Sequence, residues 1–398
     1  VVADFYLTLR PATQKISHVW KTGIQTTVKG AEKRSALYTW PRIKLYNDFM
    51  AGTNQKINYL KRSLFRYPDK IWGVPIWADK TVLTSQAVYG QKVLNVGETD
   101  NRHFYTGRQV VIINPSNFLS YEAGIIDSLT SNQITLTENL SLTWGAGSFV
   151  LPSYDCRVSQ EQEIGATFQN IQGFSIEATE AFETLRTYAY SIPSSGADTY
   201  QGLDLFLLRP QNPLTYKYKR AYNLAQFLGL GYAYSSYDTG DNVLGLKGSW
   251  LRNSRANIWT LLNFFNSKQG RFQKFWIPTW SKDIVPTAAI LSADTVINVE
   301  NIEYNTVYLP NEVIGRYVYI QFPDGTYVCR KISTATPTTI TLDSAIGKAV
   351  SADNLSKLLI SFLILCRFDI DELEIEYIRE NYGKAEMGFS GLVGEDIS

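Results

Sequence analysis

An aromatic–proline segment occurs twice in this chain, about two hundred residues apart, as Trp72-Gly-Val-Pro75-Ile-Trp77-Ala-Asp79 and Trp276-Ile-Pro278-Thr-Trp280-Ser-Lys-Asp283. The residues downstream of each copy also repeat in order. Val93-Leu-Asn-Val96 answers to Val296-Ile-Asn-Val299, Gly107-Arg-Gln-Val110 to Gly315-Arg-Tyr-Val318, Ile134-Thr-Leu136 to Ile340-Thr-Leu342, and Cys156-Arg157 to Cys366-Arg367. The offsets stay close: 203 for Trp77 and Trp280, 208 for Gly107 and Gly315, 206 for Ile126 and Ile332, 210 for Cys156 and Cys366. Collinear matches at a near-constant offset read as a tandem duplication, which limits the chain to folds built from two like modules. A duplicated module without evident chemistry points to assembly rather than catalysis.

At 398 residues the chain exceeds what a single core usually organises, so more than one domain is expected. Aromatics make up 13% and join many Val, Ile and Thr, a mixture suited to the pleated surface of strands. The net charge of +1 gives no overall electrostatic footprint for nucleic acid or an anionic membrane. Cys156, Cys329 and Cys366 are too few for a disulfide framework and lie in apolar runs, as small hydrophobes would. The N-terminal residues lack the pattern of a signal peptide, and no apolar run approaches a membrane span. Synthesis in a reducing cytoplasm and no membrane span are the expectations.

Each half reads as a β-rich leader, then a helix, then the aromatic–proline segment. In the second half Asn253 or Ser254 can cap a helix whose Ile258, Leu261, Leu262 and Phe265 share one face, and Gly270 can end it. The first helix shows Ile57, Leu60 and Leu64 on one face, with Pro68 limiting its end. Short alternating runs come next, such as Gln133–Thr137 and Thr339–Asp343, and Pro323-Asp-Gly325-Thr marks a hairpin turn. Such stretches are long enough for a small barrel or sandwich. The chain then returns to a strand, Arg157–Ile164 in one half and Arg367–Glu376 in the other. Tyr216-Lys-Tyr218-Lys alternates like a strand, and Ser236–Asn242 reads as a hairpin tip between Tyr232–Tyr234 and Val243–Leu246. Ile192–Ala197 suits a link, placing the boundary between halves near residue 182.

The predicted organisation is therefore mainly β with a few helices. Residues 1–80 with 153–182 form a first β-sandwich module, into which a small β-domain is inserted at 81–152. Residues 183–284 with 366–398 form a second, with its insertion at 285–365. The segments themselves are structural junctions. Pro75 and Pro278 restrict the backbone, while Trp72, Trp77, Trp276 and Trp280 would lie on one face of an extended segment and pack against the preceding helix. Replacing Trp77 or Trp280 is expected to impair folding and assembly before any chemistry.

Candidate chemistry is sparse. His18 and His103 are the only histidines, which disfavours a His-based triad or a His-rich metal site. Asp369, Asp371, Glu372, Glu374 and Glu376 could bind calcium or supply a glycosidase carboxylate pair, against the simpler reading of a solvated strand face. Asp238, Asp241 and Asn242 lack the distal Glu of a calcium loop. The glycines of Trp144–Gly147 and Gly229–Gly231 lack the remainder of a phosphate-binding loop. Lys56, Lys61, Arg62 and Arg66, and Lys217, Lys219 and Arg220 beside Tyr216, Tyr218 and Tyr222, could meet DNA phosphates; solvated faces or subunit contacts are the simpler reading. No catalytic, cofactor-binding or metal-binding residue is assigned.

Gly30-Ala-Glu32-Lys-Arg34, Trp40-Pro41-Arg42, the helix leading into Phe275-Trp276-Ile-Pro278-Thr-Trp280, and Arg367-Phe-Asp-Ile-Asp-Glu-Leu-Glu-Ile-Glu-Tyr377 resemble stretches of tail-tip proteins of double-stranded DNA tailed phages. That group includes distal tail and baseplate hub proteins, and gene transfer agent tail proteins are similar. The resemblance implies a non-enzymatic virion protein, assembled in the host bacterial cytoplasm, whose sandwich modules form a ring at the end of the tail. It would contact the tail tube protein, the baseplate hub, tail fibres or receptor-binding proteins, and transiently the passing DNA. A duplicated chain adds an argument, since three copies present six like modules and six copies present twelve. The alternatives are a carbohydrate-binding protein or two-carboxylate glycosidase acting on surface glycans, and a nucleic-acid-binding module with a contiguous basic groove.

Overall fold

The computed structural model of the chain describes residues 3–27, 31–66, 69–159, 161–168, 171–181, 191–212, 214–219, 222–226, 233–237, 243–309, 315–392 and 395. The protein is mainly β, with a large antiparallel sheet and a sandwich-like architecture. In the first half, the strands that carry the architecture are β1 (Thr13–Val19), β2 (Arg42–Ala51), β3 (Trp72–Pro75), β4 (Phe149–Val158), β5 (Glu163–Phe168) and β6 (Ile171–Glu180). In the second they are β7 (Thr215–Lys219), β8 (Val243–Arg252), β9 (Phe275–Pro278), β10 (Leu359–Phe368), β11 (Glu372–Arg379) and β12 (Tyr382–Gly391). Helix α1 (Asn54–Arg66) comes after β2, and α2 (Arg255–Lys268) after β8.

The main sheet runs in the order β5-β6-β2-β1-β11-β12-β8-β7, every neighbouring pair antiparallel. Its first four strands come from one half and its last four from the other, in the same relative order. Ile16, Leu45, Phe49, Phe174, Ile176, Ile375, Met387, Phe389 and Trp250 project from one face into a shared core. Alternation puts Lys15, Lys44, Glu374 and Glu386 on the opposite face, which faces water, as a strand period of two requires. Each fully buried large side chain of the inner face contributes about 1.5–3 kcal/mol.

The helices cover that inner face. In α2, Ser254 caps the first turn, its hydroxyl accepting from the Asn257 amide at 3.2 Å. Ile258, Leu261, Leu262 and Phe265 are buried together. Gln269 at φ 53° and Gly270 at φ 64° end the helix in left-handed conformations. A Cβ on Gly270 would lie 2.6 Å from an Asp371 carboxylate oxygen, so the close approach requires glycine. In α1, Ile57 and Leu60 are buried and Leu64 packs beside them.

Two smaller cores stand apart from the shared one. Leu83, Leu94, Val110, Ile112, Ile134, Trp144 and Val150 form one; Ile284, Ile297, Val318, Ile320, Ile340, Ile346 and Ile360 form the other. A single long strand leads out of each. The first residues of β4 pair with Gln109–Asn114 and its last residues with β3 and β6. β10 likewise pairs with Tyr317–Gln321, then β9, then β12. Among the described residues there is no closed barrel.

Pairing also corrects the alignment read from sequence. Cys156 lies opposite Trp72, whereas Cys366 lies opposite Phe275. The spatial counterpart of Trp72 is therefore Phe275, and that of Trp276 is Gly73. The reason is a complementary exchange of bulk. Tyr6 runs parallel to β3 opposite Gly73, and a Cβ there would lie 2.3 Å from the tyrosine ring. In the second half a smaller residue, Leu205, lies opposite Trp276. The amides of Leu7 and Phe206 donate to the Gly73 and Trp276 carbonyls at 2.9 and 2.7 Å.

The tryptophans do not share a face against the helices. Trp72 joins the main core and meets Phe5 edge-on at 5.0 Å, but Trp77 opens a 3₁₀ turn and packs on Phe149 at 6.1 Å. Trp276 points to Tyr317 at 4.8 Å, leaving Phe275 to meet Phe264 of α2 at 5.1 Å. Trp280, at φ 59°, packs on Tyr319 at 5.5 Å. The extended geometry ends at the prolines, so aromatics beyond them turn to other layers. Each predicted return strand is in fact two, because the chain breaks between β4 and β5 and between β10 and β11. Ala233–Tyr237 pairs with Tyr222–Gln226 rather than with β8, which takes β7 instead. The tip at residues 238–242 and the boundary at residue 182 lie outside the described residues.

Gly73→Ala is expected to lose about 1–3 kcal/mol through overpacking, and adding Tyr6→Leu should recover most of it. Urea unfolding measures both; a Gly73→Ala protein as stable as the parent would refute the exchange of bulk.

Candidate functional site

A buried polar cluster lies beside the β1·β11 seam, where the two halves meet. His18 comes from β1, Trp20 from the residues after it, Asp79 from the end of the first aromatic–proline segment, His103 from the loop before Gln109–Asn114, and Arg255 and Asn266 from α2. His18 and His103 are 3% and 1% exposed and Asp79 is fully buried, so every hydrogen bond among them matters. The Trp20 indole donates to the Asn266 oxygen at 3.0 Å, and the Asn266 amide lies 3.2 Å from His18 Nδ1. The two His Nε2 atoms are 3.1 Å apart, and His103 Nδ1 lies 2.5 Å from Asp79 Oδ2. Arg255 Nη1 donates to Asp79 Oδ1 at 2.5 Å, and the His103 backbone amide donates to Oδ2 at 2.7 Å. With protons on His18 Nε2 and His103 Nδ1, each donor meets an acceptor in one direction, from Trp20 to the Asp79 carboxylate.

Two members of the cluster are shifted by their surroundings. Burial, reinforced by the neighbouring His103, pushes the His18 imidazole well below its ordinary value of 6.5. Burial alone would raise Asp79, but His103 and Arg255 outweigh it and hold the carboxyl at about 2. An Asp–His pair begins a hydrolase relay, yet here the far nitrogen of the imidazole faces a second imidazole in the core. The cluster can join β1, α2 and the first small domain; it presents no buried nucleophile to a substrate at that nitrogen.

The acidic residues fall into two groups. Glu372, Glu374 and Glu376 alternate on the outer face of β11. Together with Lys15, Lys217 and Glu386 they line a shallow groove of about 740 Å³. The charges interlock: Lys15 meets Glu374 at 3.0 Å, Lys44 meets Glu372 at 3.1 Å, and Lys247 meets Glu386 at 3.2 Å. The hydrogen bond from Lys247 lowers the Glu386 carboxyl, opposite to what a glycosidase acid needs. No Trp or Tyr lines this groove among the described residues. Asp371 has left the strand face. Its carboxylate accepts from the Thr22 amide at 2.9 Å and the Arg271 amide at 2.9 Å, tying the end of β1 to the end of α2.

Arg367 donates to both Glu32 oxygens at 2.7 Å, while Arg34 bridges Glu32 and Glu395 at 3.3 and 2.8 Å. Two of the stretches that carried the family resemblance thus meet in one ion cluster. Cys156 and Cys366 are fully buried, and burial pushes both thiols well up, as for packing residues. Among the described residues no group of three or more His, Cys, Asp or Glu is placed to hold a metal ion. No described helix is long and apolar enough to cross a membrane. Lys217 and Lys219 lie on edge strand β7, and the cations of α1 occupy its exposed or half-buried positions.

Sequence reading singled out His18 and His103 but not their meeting, nor the roles of Asp79, Arg255 and Asn266. The available signal was small: two histidines in the whole chain, and an Asp closing each aromatic–proline segment. Asp283, which closes the second segment one position beyond the spatial counterpart of Asp79, accepts from the Phe362 amide at 2.8 Å. Fold and site together define a mainly β, sandwich-like protein with an internal polar seam. The chain matches no protein-family model and no curated protein.

Because His18 binds protons more weakly folded than unfolded, the unfolded chain takes up more protons below pH 6.5, and stability falls as pH drops through that range. The expected slope from this residue is up to about 1.4 kcal/mol per pH unit. Urea midpoints between pH 7 and 5 should show it, and His18→Asn, though less stable at pH 7, should flatten it. An unchanged slope in that variant would refute the assignment.

Proposed function

We propose that this protein is a non-enzymatic ring-forming component of a phage-type tail tip. In this reading a tandemly duplicated sandwich module joins the tail tube to hub, fibres or receptor-binding proteins around the DNA path. One observation carries the reading. The two halves of the main sheet have the same strand order and meet head to tail, the β1 edge of one against the β11 edge of the other. A head-to-tail contact is heterologous: repeated between chains, it closes into a ring or runs on as a filament. Three chains would supply six modules and six would supply twelve, suiting a sixfold tube and, in the trimer, a threefold spike as well.

Further support comes from the chemistry. The resemblance residues Glu32, Arg34 and Arg367 are used structurally, in one ion cluster. The two histidines and Asp79 join elements in the core. The interlocked lysines and glutamates of the outer groove favour a glycosidase less than a surface in contact with neighbours. Location in the virion tail belongs to the same reading.

The test is the mass of the purified protein in solution, with electron microscopy of the same sample. A closed ring of three or six chains is expected. A strict monomer that binds or cleaves glycans would overturn the proposal.

A further inference from the structure

The seam inside the chain is a template for the seam between chains. Matching the pairings of each half assigns β7 as the counterpart of β1, and β5 as that of β11. Inside the chain these two strand types pair, β1 with β11. Their counterparts β7 and β5 are left at the two ends of the sheet. Among the described residues β7 pairs only with β8, and β5 only with β6. An edge strand is a ready template for another chain, and here the two open edges are the two sides of a junction already built once.

The internal register transfers without adjustment. Ile16 lies opposite Ile375, Ser17 opposite Glu374 and Val19 opposite Glu372. Counting through the shared neighbours, Tyr216 replaces Ile16 and Ile164 replaces Ile375. Lys217 then falls opposite Glu163. Nothing in the transfer selects for charge, yet it sets a lysine position against a glutamate position, in the row that carries Lys15 and Glu374 at the internal seam. The polarity is also that of the internal seam, where Lys15 on β1 meets Glu374 on β11 at 3.0 Å. In the other row, Tyr216 meets Ile164, an aromatic against a β-branched residue. Tyr218 and Ile164 belong to the core-facing rows of their strands, and both are exposed, at 63% and 43%. Their internal counterparts His18 and Ile375 are buried. A second copy of the chain would cover them.

We infer that copies of this chain join by antiparallel pairing of β7 of one with β5 of the next, in the register that places Tyr216 opposite Ile164 and Lys217 opposite Glu163. This rests on the ring reading and names its contact.

The test uses the full chain carrying Lys217→Cys and Glu163→Cys. Directly opposed strand residues lie within disulfide reach, and the three native cysteines are buried. Mild oxidation should give an interchain ladder ending at the ring's own size, whereas Tyr218→Cys with Glu163→Cys, one residue out of register, should not. Separately, Lys217→Glu should weaken association by about three- to ten-fold, and Glu163→Lys in the same chain should restore it. Rings that form without the 217–163 crosslink and ignore the charge changes would overturn this inference and leave the ring reading standing. A chain that remains monomeric and uncrosslinked at high concentration would overturn both.

Discussion

The pairing of β1 with β11 is the constraint on which the rest of the structure depends. It joins the start of the chain to a strand near its end, merging two half-sheets into one surface with a shared core. Through it Ile16 and Ile375 bury each other's flanks, and His18 is enclosed where the buried relay to Asp79 can form. Because one-residue slips would turn every side chain over, the register is held by apolar residues inside and by the Lys15–Glu374 pair outside. Contacts this distant in sequence make the fold dependent on slow, non-local closure.

The same seam explains why polar residues are tolerated deep in the protein. A buried carboxylate without partners would be costly, but Asp79 receives Arg255, the His103 ring and the His103 amide. Asp371 does comparable work closer to the surface, fixing the end of α2 against the end of β1. Specificity comes from these directional groups, while the aromatic and aliphatic faces supply most of the driving force.

Much of this fold could be read from residues alone. The Ser254 cap, the apolar face of α2 and the alternation of Gln133–Leu136, Thr339–Leu342 and β7 depend on neighbours a few positions apart, and such patterns survive into the structure. Misreadings arose where bulk is exchanged across space. Trp72 and Trp276 look alike in sequence, yet their pairings put Phe275, not Trp276, opposite Cys366, because Tyr6 requires a glycine where Leu205 admits a tryptophan. The candidate site was less legible still: neither histidine carries a local sign that it will meet the other, since His18 and His103 stand 85 residues apart on different elements.

By itself the sequence determined the strand-rich class, helices α1 and α2 and the recurrence of like segments, because periodicity and capping act over a few residues. Only the tertiary structure decided which edges are joined and which are left open, how the aromatics are shared among layers, and that the scarce histidines serve the seam. Those outcomes depend on shape and hydrogen-bond partners supplied from hundreds of residues away, and no local pattern encodes them.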